Sequence, residues 1–213
     1  GIKNYTQASK RTRLKEFSQI NTNEALRLKN RDNLKSQSDY IQSNIHLNNQ
    51  TQNKEDAAFA FQQMAQINLE RKDKSAAINN LENALELVMD EPEETSKIKE
   101  EMVKVYVADE QYEKAITINQ SLVKEAQKTA NPVKEVNQLQ NLSQTYFQAN
   151  EAEKAISSLK DAYSVAVKNN QTLEARNILQ KLTQFYQDKK KSKEAMEAYA
   201  DFITRLDTLI KAD

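Results

Sequence analysis

The chain has 213 residues with 31 basic and 31 acidic side chains, and it contains one glycine, two prolines, one histidine and no cysteine. Tight hairpin turns need residues at positive φ, usually glycine or asparagine, so this composition argues against a mainly β fold. It also excludes disulfides, thiol nucleophiles, glycine-rich phosphate loops and a histidine metal pair.

Residues 1–50 are predicted to form two or three helices with narrow apolar faces, as the spacing of Leu14, Phe17 and Ile20 indicates. Residues 1–35 carry nine basic against three acidic side chains. We interpret residues 1–50 as a divergent first repeat, with a partly ordered basic arm as the alternative. Such an arm could contact nucleic acid, but no aromatic side chains are interleaved with the charges, so a solvated helix face is preferred.

Beyond residue 55, alanine recurs at a nearly constant interval. Ala77, Ala115, Ala155 and Ala195 are 38, 40 and 40 residues apart. Each lies in a stretch where apolar residues follow one another at steps of three and four, which is the periodicity of an amphipathic helix. A fixed period of this length indicates a solenoid, in which each helix hairpin buries its apolar face against its neighbours.

We predict four such repeats within residues 51–205, followed by a capping helix end or connector at 206–213. Their expected bounds are 55–92, 95–131, 133–170 and 172–205. In each repeat a large residue of the first helix is expected to pack over a small residue of the second. Pro92 and Pro132, themselves forty residues apart, are interpreted as helix stops before successive repeats.

These residues resemble the tetratricopeptide repeat (TPR) family. The third repeat has the family's order of residue types in Leu139, Leu142, Ser143, Tyr146, Ala155 and Ile156, and the fourth has it in Leu179, Leu182, Thr183, Tyr186, Ala195 and Met196. The family's glycines are absent, and the period is closer to 40 than to the family's usual ~34. The longer period is similar to that of arrays in bacterial regulatory proteins. The resemblance implies an all-α, right-handed superhelical solenoid of antiparallel helix hairpins.

The end of the chain, from Tyr199 to Ile210, also resembles the junction that follows the repeats in bacterial sensor histidine kinases. A last amphipathic helix that caps the solenoid would have the same pattern, and we prefer that interpretation.

The resemblance further implies that the first helix of each repeat lines a concave groove. The candidate binding residues on those helices are Gln62, Gln66, Lys104, Gln140, Gln144, Phe147, Gln148, Gln180 and Gln184. An amide side chain both donates and accepts hydrogen bonds, so a row of glutamines can pair with the backbone of a bound peptide, with Phe147 as an apolar anchor. The alternative is that the row reflects composition, because glutamine is a good helix former and is abundant here.

The sequence therefore favours a non-catalytic protein- or peptide-binding module, expected to be the sensory or scaffolding region of a larger bacterial signalling protein. Self-association as a homodimer through the last helix, and contact with nucleic acid through the basic N-terminus, are the alternatives. We expect no catalytic residue, no metal and no cofactor, and interpret His46 and the acidic run at 90–94 as structural or solvated. No apolar run approaches the ~18 residues of a membrane span, and the compartment stays open with the cytoplasm favoured.

Overall fold

The computed structural model describes residues 2–29, 34–51 and 53–188, together with helical residues 197, 200 and 204. Within the first three ranges the chain forms nine α-helices and no strand, so the predicted all-α fold is confirmed. The helices are α1 (Ile2–Lys29), α2 (Leu34–Thr51), α3 (Lys54–Glu70), α4 (Lys74–Leu87), α5 (Pro92–Ala108), α6 (Tyr112–Lys128), α7 (Pro132–Gln148), α8 (Ala152–Lys168) and α9 (Thr172–Asp188). They fall into two compact units, which divide after Val105.

The 40-residue period has a simple origin in the lengths of the helices. From α5 to α9 every helix has 17 residues, and every connection between them has three. Helix α4 has 14 residues and is followed by a four-residue connection. This shorter helix accounts for the 38-residue interval between Ala77 and Ala115, which are both the fourth residue of their helices.

Five connections contain a residue in the left-handed region of backbone conformation, although none of them is glycine. These residues are Lys72, Glu110, Ala130, Asn150 and Asn170, with φ between 49° and 63°. The following residue donates its N–H to a carbonyl five positions earlier, as Gln111 does to Tyr106 and Glu151 to Tyr146, both at 2.8 Å. The helices therefore end in the manner usually associated with glycine.

The interpretation of the two prolines as helix stops is wrong. Pro92 and Pro132 are the first residues of α5 and α7. Proline suits this position because its missing N–H would have no intrahelical partner there and its fixed φ is already helical. The side chain of Asn131 caps α7 by accepting a hydrogen bond from the Lys134 N–H at 3.0 Å.

In the unit that begins at Tyr106, small residues bring paired helices close together. Ala155 of α8 is completely buried, and Ser143 of α7 donates from Oγ to its carbonyl oxygen at 2.7 Å. Asn119 of α6 donates to Thr145 Oγ1 of α7 at 2.8 Å within the core. Leu139, Leu142, Tyr146 and Ile156 are buried around these contacts.

The tyrosines that end the first helices of this unit are held by repeated contacts. The ammonium group of Lys114 lies 5.2 Å from the ring centroid of Tyr106, and that of Lys154 lies 5.5 Å from Tyr146, forty residues further on. Each is within the range of a cation–π interaction. The repeat of the sequence is thus also a repeat of contacts.

In the unit that ends at Val105, α1 packs against α2. Thr22 Oγ1 lies 2.8 Å from the side-chain amide of Asn44, and Ala25 and Ile41 form a buried cluster with Ala60, Met64 and Ile67 of α3. That residues 1–50 are a divergent first repeat stays a prediction.

Several predictions concern residues outside the described ranges. They are the second helix of the fourth repeat with Ala195, the capping helix end or connector at 206–213, the sensor-kinase-like junction, and self-association through the last helix.

Candidate functional site

The first helices of the last two repeats lie side by side. Gln140 of α7 donates from Nε2 to Glu174 Oε1 of α9 at 2.7 Å, and Lys181 of α9 donates from Nζ to Gln140 Oε1 at 2.5 Å. Further along, the rings of Phe147 and Phe185 are stacked with centroids 4.4 Å apart and planes 15° apart. The two helices thus present one continuous face within this unit.

We call this face the α7–α9 surface. It consists of Val133, Gln140, Gln144, Phe147 and Gln148 on α7 and of Leu173, Glu174, Gln180, Lys181, Gln184 and Phe185 on α9. Gln144, Gln148, Gln180 and Gln184 are exposed, whereas Gln140 is half-buried and bonded as described. The structure therefore brings together six of the nine candidate binding residues.

Phe147, the expected apolar anchor, also makes a contact within the protein. Its ring is half-buried because it stacks on Phe185, so part of its apolar surface is already committed to a contact within the protein. The stack joins the far ends of α7 and α9 and positions both helices.

The remaining three candidates lie in the other compact unit. Gln62 is half-buried and Gln66 is exposed on α3, while Lys104 is exposed on α5. Phe59, one turn before Gln62, is 54% exposed. The nine candidates are thus divided between two units.

Val133 and Leu173 are exposed residues of this surface that are not among the nine sequence-predicted candidates. They stand forty residues apart at equivalent positions in the first turns of α7 and α9, and they are 58% and 64% exposed. The available signal was their register, because Val133 shares a helix face with Gln140 and Gln144 at steps of three and four residues.

Charge on the α7–α9 surface is compensated at a single point. Glu174 and Lys181 carry opposite charges, and both are bonded to the amide of Gln140. Lys134, near the start of α7, lies 3.8 Å from the Glu125 carboxylate. Exposed uncharged amides make up most of the remaining polar part of the surface.

Glu101 lies close to Lys104 in the first unit, and its carboxyl has a shifted pKa. Partial burial of its carboxyl raises the pKa of Glu101, the positive charge of Lys104 acts in the opposite direction, and the negative charge of Glu94 adds to the rise. Burial also raises the pKa of Asp161 on α8.

His46 lies exposed on α2, beside a shallow recess of about 470 Å³. The recess is lined by Asp39, Gln42, Ser43, His46 and Leu47, all from this one helix. Among the described residues, no three histidine or acidic side chains are grouped so that they could hold a metal ion. None of the described helices combines the length and the apolar character needed to cross a membrane.

No known family model matches the sequence, and a comparison with curated proteins gave no match. Solved structures do resemble it. Aspartyl phosphate phosphatase F from Bacillus subtilis is 16% identical with a TM-score of 0.67, and the match covers 96% of this chain but 54% of that protein. A kinesin light chain-like protein with nearly identical TPR-like repeats, from Podosopora anserina, is 14% identical with a TM-score of 0.66, and the match covers 92% and 96% of the two chains.

A Rap protein in complex with competence and sporulation factor is a third similar structure, with 15% identity and a TM-score of 0.54. This chain covers 53% of that protein, and the match includes 87% of this chain. Identities this low show a similarity of fold alone. The resemblance read from the repeats is thus confirmed at that level, and the chain has the all-α fold of the TPR-like helical repeat proteins.

Proposed function

We propose that this chain is a protein- or peptide-binding module whose partner binds the α7–α9 surface. The observation that carries the proposal is the side-by-side arrangement of α7 and α9, which places exposed Gln144 and Gln180 on one face. Amide side chains held on rigid helices can donate and accept hydrogen bonds without reorganising the scaffold.

The similar structures support the same class of function. One of them, a Rap protein, was determined in complex with competence and sporulation factor. Because a fold alone does not determine function, the exposed amides support the proposal more strongly than the likeness does.

We further propose that the module serves as the sensory or scaffolding region of a larger bacterial signalling protein. The likeness to a Bacillus subtilis phosphatase and to a Rap protein supports this context, and the chain spans about half the length of each. Reading the gene on both sides of the encoded segment tests it. An adjoining catalytic or DNA-binding region supports the proposal, whereas a start codon just upstream of Gly1 together with a stop codon just downstream of Asp213 contradicts it.

Binding is tested by selecting peptides from a phage-displayed library of random dodecapeptides against the wild-type protein. The Kd of each selected peptide is then measured by calorimetry. We expect Gln144→Ala/Gln180→Ala to weaken binding by about tenfold or more, because each lost amide hydrogen bond contributes about 0.5–1.5 kcal/mol.

Gln42→Ala is the matched control, since Gln42 is an exposed glutamine on α2 and lies in the other compact unit. Its Kd should remain within about twofold of the wild-type value, which is the range of ordinary surface substitutions. Selected peptides that bind the double variant as tightly as the wild type would place the binding site elsewhere.

A further inference from the structure

The α7–α9 surface has apolar groups at both ends and amides between them. Val133 and Leu173 are exposed at one end, and the stacked rings of Phe147 and Phe185 form the other. From Val133 to Phe147 the helix rises about 21 Å. That distance corresponds to about six residues of extended chain.

The compensated charge of this surface bears on what it can bind. Because Glu174 and Lys181 are bonded to the same amide, neither an acidic nor a basic segment gains a net attraction at that point. A charged side chain buried against the uncharged amides of Gln144 and Gln180 would lose its hydration, and the exposed Arg176, one turn before Gln180, would be a solvent-screened partner that offsets little of that cost. The surface therefore favours an uncharged occupant.

The exposed amides also bear on the conformation of that occupant. The interior of a helix uses its own backbone N–H and C=O groups, whereas an extended segment leaves them available. Gln144 and Gln180 lie between the two apolar ends, where the middle of a bound segment would pass.

We propose that the α7–α9 surface selects an uncharged, extended peptide segment with two apolar side chains about six residues apart. The inference rests on the proposed function, since it names the partner class of the same surface. One apolar side chain lies between Val133 and Leu173, and the other lies against the Phe147–Phe185 stack. The backbone between them pairs with the amides of Gln144 and Gln180.

The probes are fluorescein-labelled heptapeptides with blocked termini, and the readout is fluorescence anisotropy. The parent set is neutral with leucine at the first and last positions. Three further sets carry aspartate or lysine at the centre, leucines at the first and fourth positions, or N-methylated central amides. We expect the parent set to bind at least about tenfold more tightly than the others, with less than about twofold change between low and high salt.

Val133→Ser/Leu173→Ser should weaken the parent peptides by about tenfold. Both residues are exposed, so their replacement leaves the core unchanged. Met89→Ser is the matched control, because Met89 is 68% exposed and lies in the other compact unit. Its affinity should equal that of the wild type.

Two results would overturn the inference while leaving the proposed function standing. One is tighter binding of charged heptapeptides, and the other is tighter binding of lactam-bridged helical peptides, in each case lost in Gln144→Ala/Gln180→Ala. If no heptapeptide binds, the inference is wrong, and the dodecapeptide selection decides separately whether the proposed function is wrong as well.

Discussion

At the scale of single residues, the helix ends show that this sequence forms left-handed turns without glycine. Asn150 and Asn170 adopt the left-handed conformation that asparagine tolerates, whereas Ala130 adopts it at a cost. The sequence indicated the turns but not these positions, because the absence of glycine removed the usual signal. Two asparagines at the ends of apolar stretches were the signal that remained.

Ala130→Gly should raise the free energy of unfolding by about 1 kcal/mol, because glycine has no Cβ to clash at positive φ. Chemical denaturation measures the change. Lys124→Gly, at an exposed position inside α6, is the control and should lower stability by up to about 1 kcal/mol. Equal destabilisation by both glycines would mean that residue 130 is not in the left-handed conformation.

Glu101→Gln should stabilise the protein at neutral pH by a few tenths of a kcal/mol, a small effect because the carboxyl is only partly buried. Burial raises the pKa of Glu101 in the folded state above its value in the unfolded state. The free energy of unfolding therefore decreases as the pH rises through these two pKa values. The difference between variant and wild type should vanish below about pH 4, where the carboxyl is protonated in both states.

Denaturation of both proteins across the pH range measures this difference. Glu82→Gln, at an exposed carboxylate on α4, controls for the loss of a charge as such. If the stability of Glu101→Gln relative to wild type is lower at pH 7 than at pH 4, the pKa of Glu101 is not raised by burial.

At the scale of helices, spacing in the sequence carried most of the information. The alanine interval and the three- and four-residue steps predicted the hairpins, because Ala77, Ala115 and Ala155 occupy the same place in α4, α6 and α8. The two prolines were misinterpreted as helix stops because proline can follow the end of one helix or begin the next, and only the capping contacts distinguish these positions. The shorter α4 appeared in the sequence only as the 38-residue interval between Ala77 and Ala115, and the interval alone did not reveal that a helix was shorter.

Ala155→Leu should lower the free energy of unfolding by about 1–3 kcal/mol or more, because the added side chain must enter the space between α7 and α8. Ser157→Leu is the control, because Ser157 lies two residues after Ala155 but on the exposed side of α8. It should change the free energy of unfolding by less than about 0.5 kcal/mol. A thermal midpoint of Ala155→Leu equal to that of wild type would show that this packing is misassigned.

At the scale of the whole molecule, the repeat divides into two compact units, and six candidate binding residues lie in the second. The sequence placed the glutamines on first helices, but it could not show that Gln140 is already bonded. Its partners Glu174 and Lys181 are 34 and 41 residues away, and only the packing of α7 against α9 brings them together. The same packing turns Phe147 towards Phe185.

Binding of a partner to the exposed amides of the α7–α9 surface can be observed at the residues themselves. The measurement is an NMR titration of the wild-type protein with a selected dodecapeptide, in which the side-chain amide signals are followed. We expect the signals of Gln144 and Gln180 to shift on binding while that of Gln42 stays in place. Shifts confined to Gln42 and its neighbours on α2 would mean that the partner binds elsewhere.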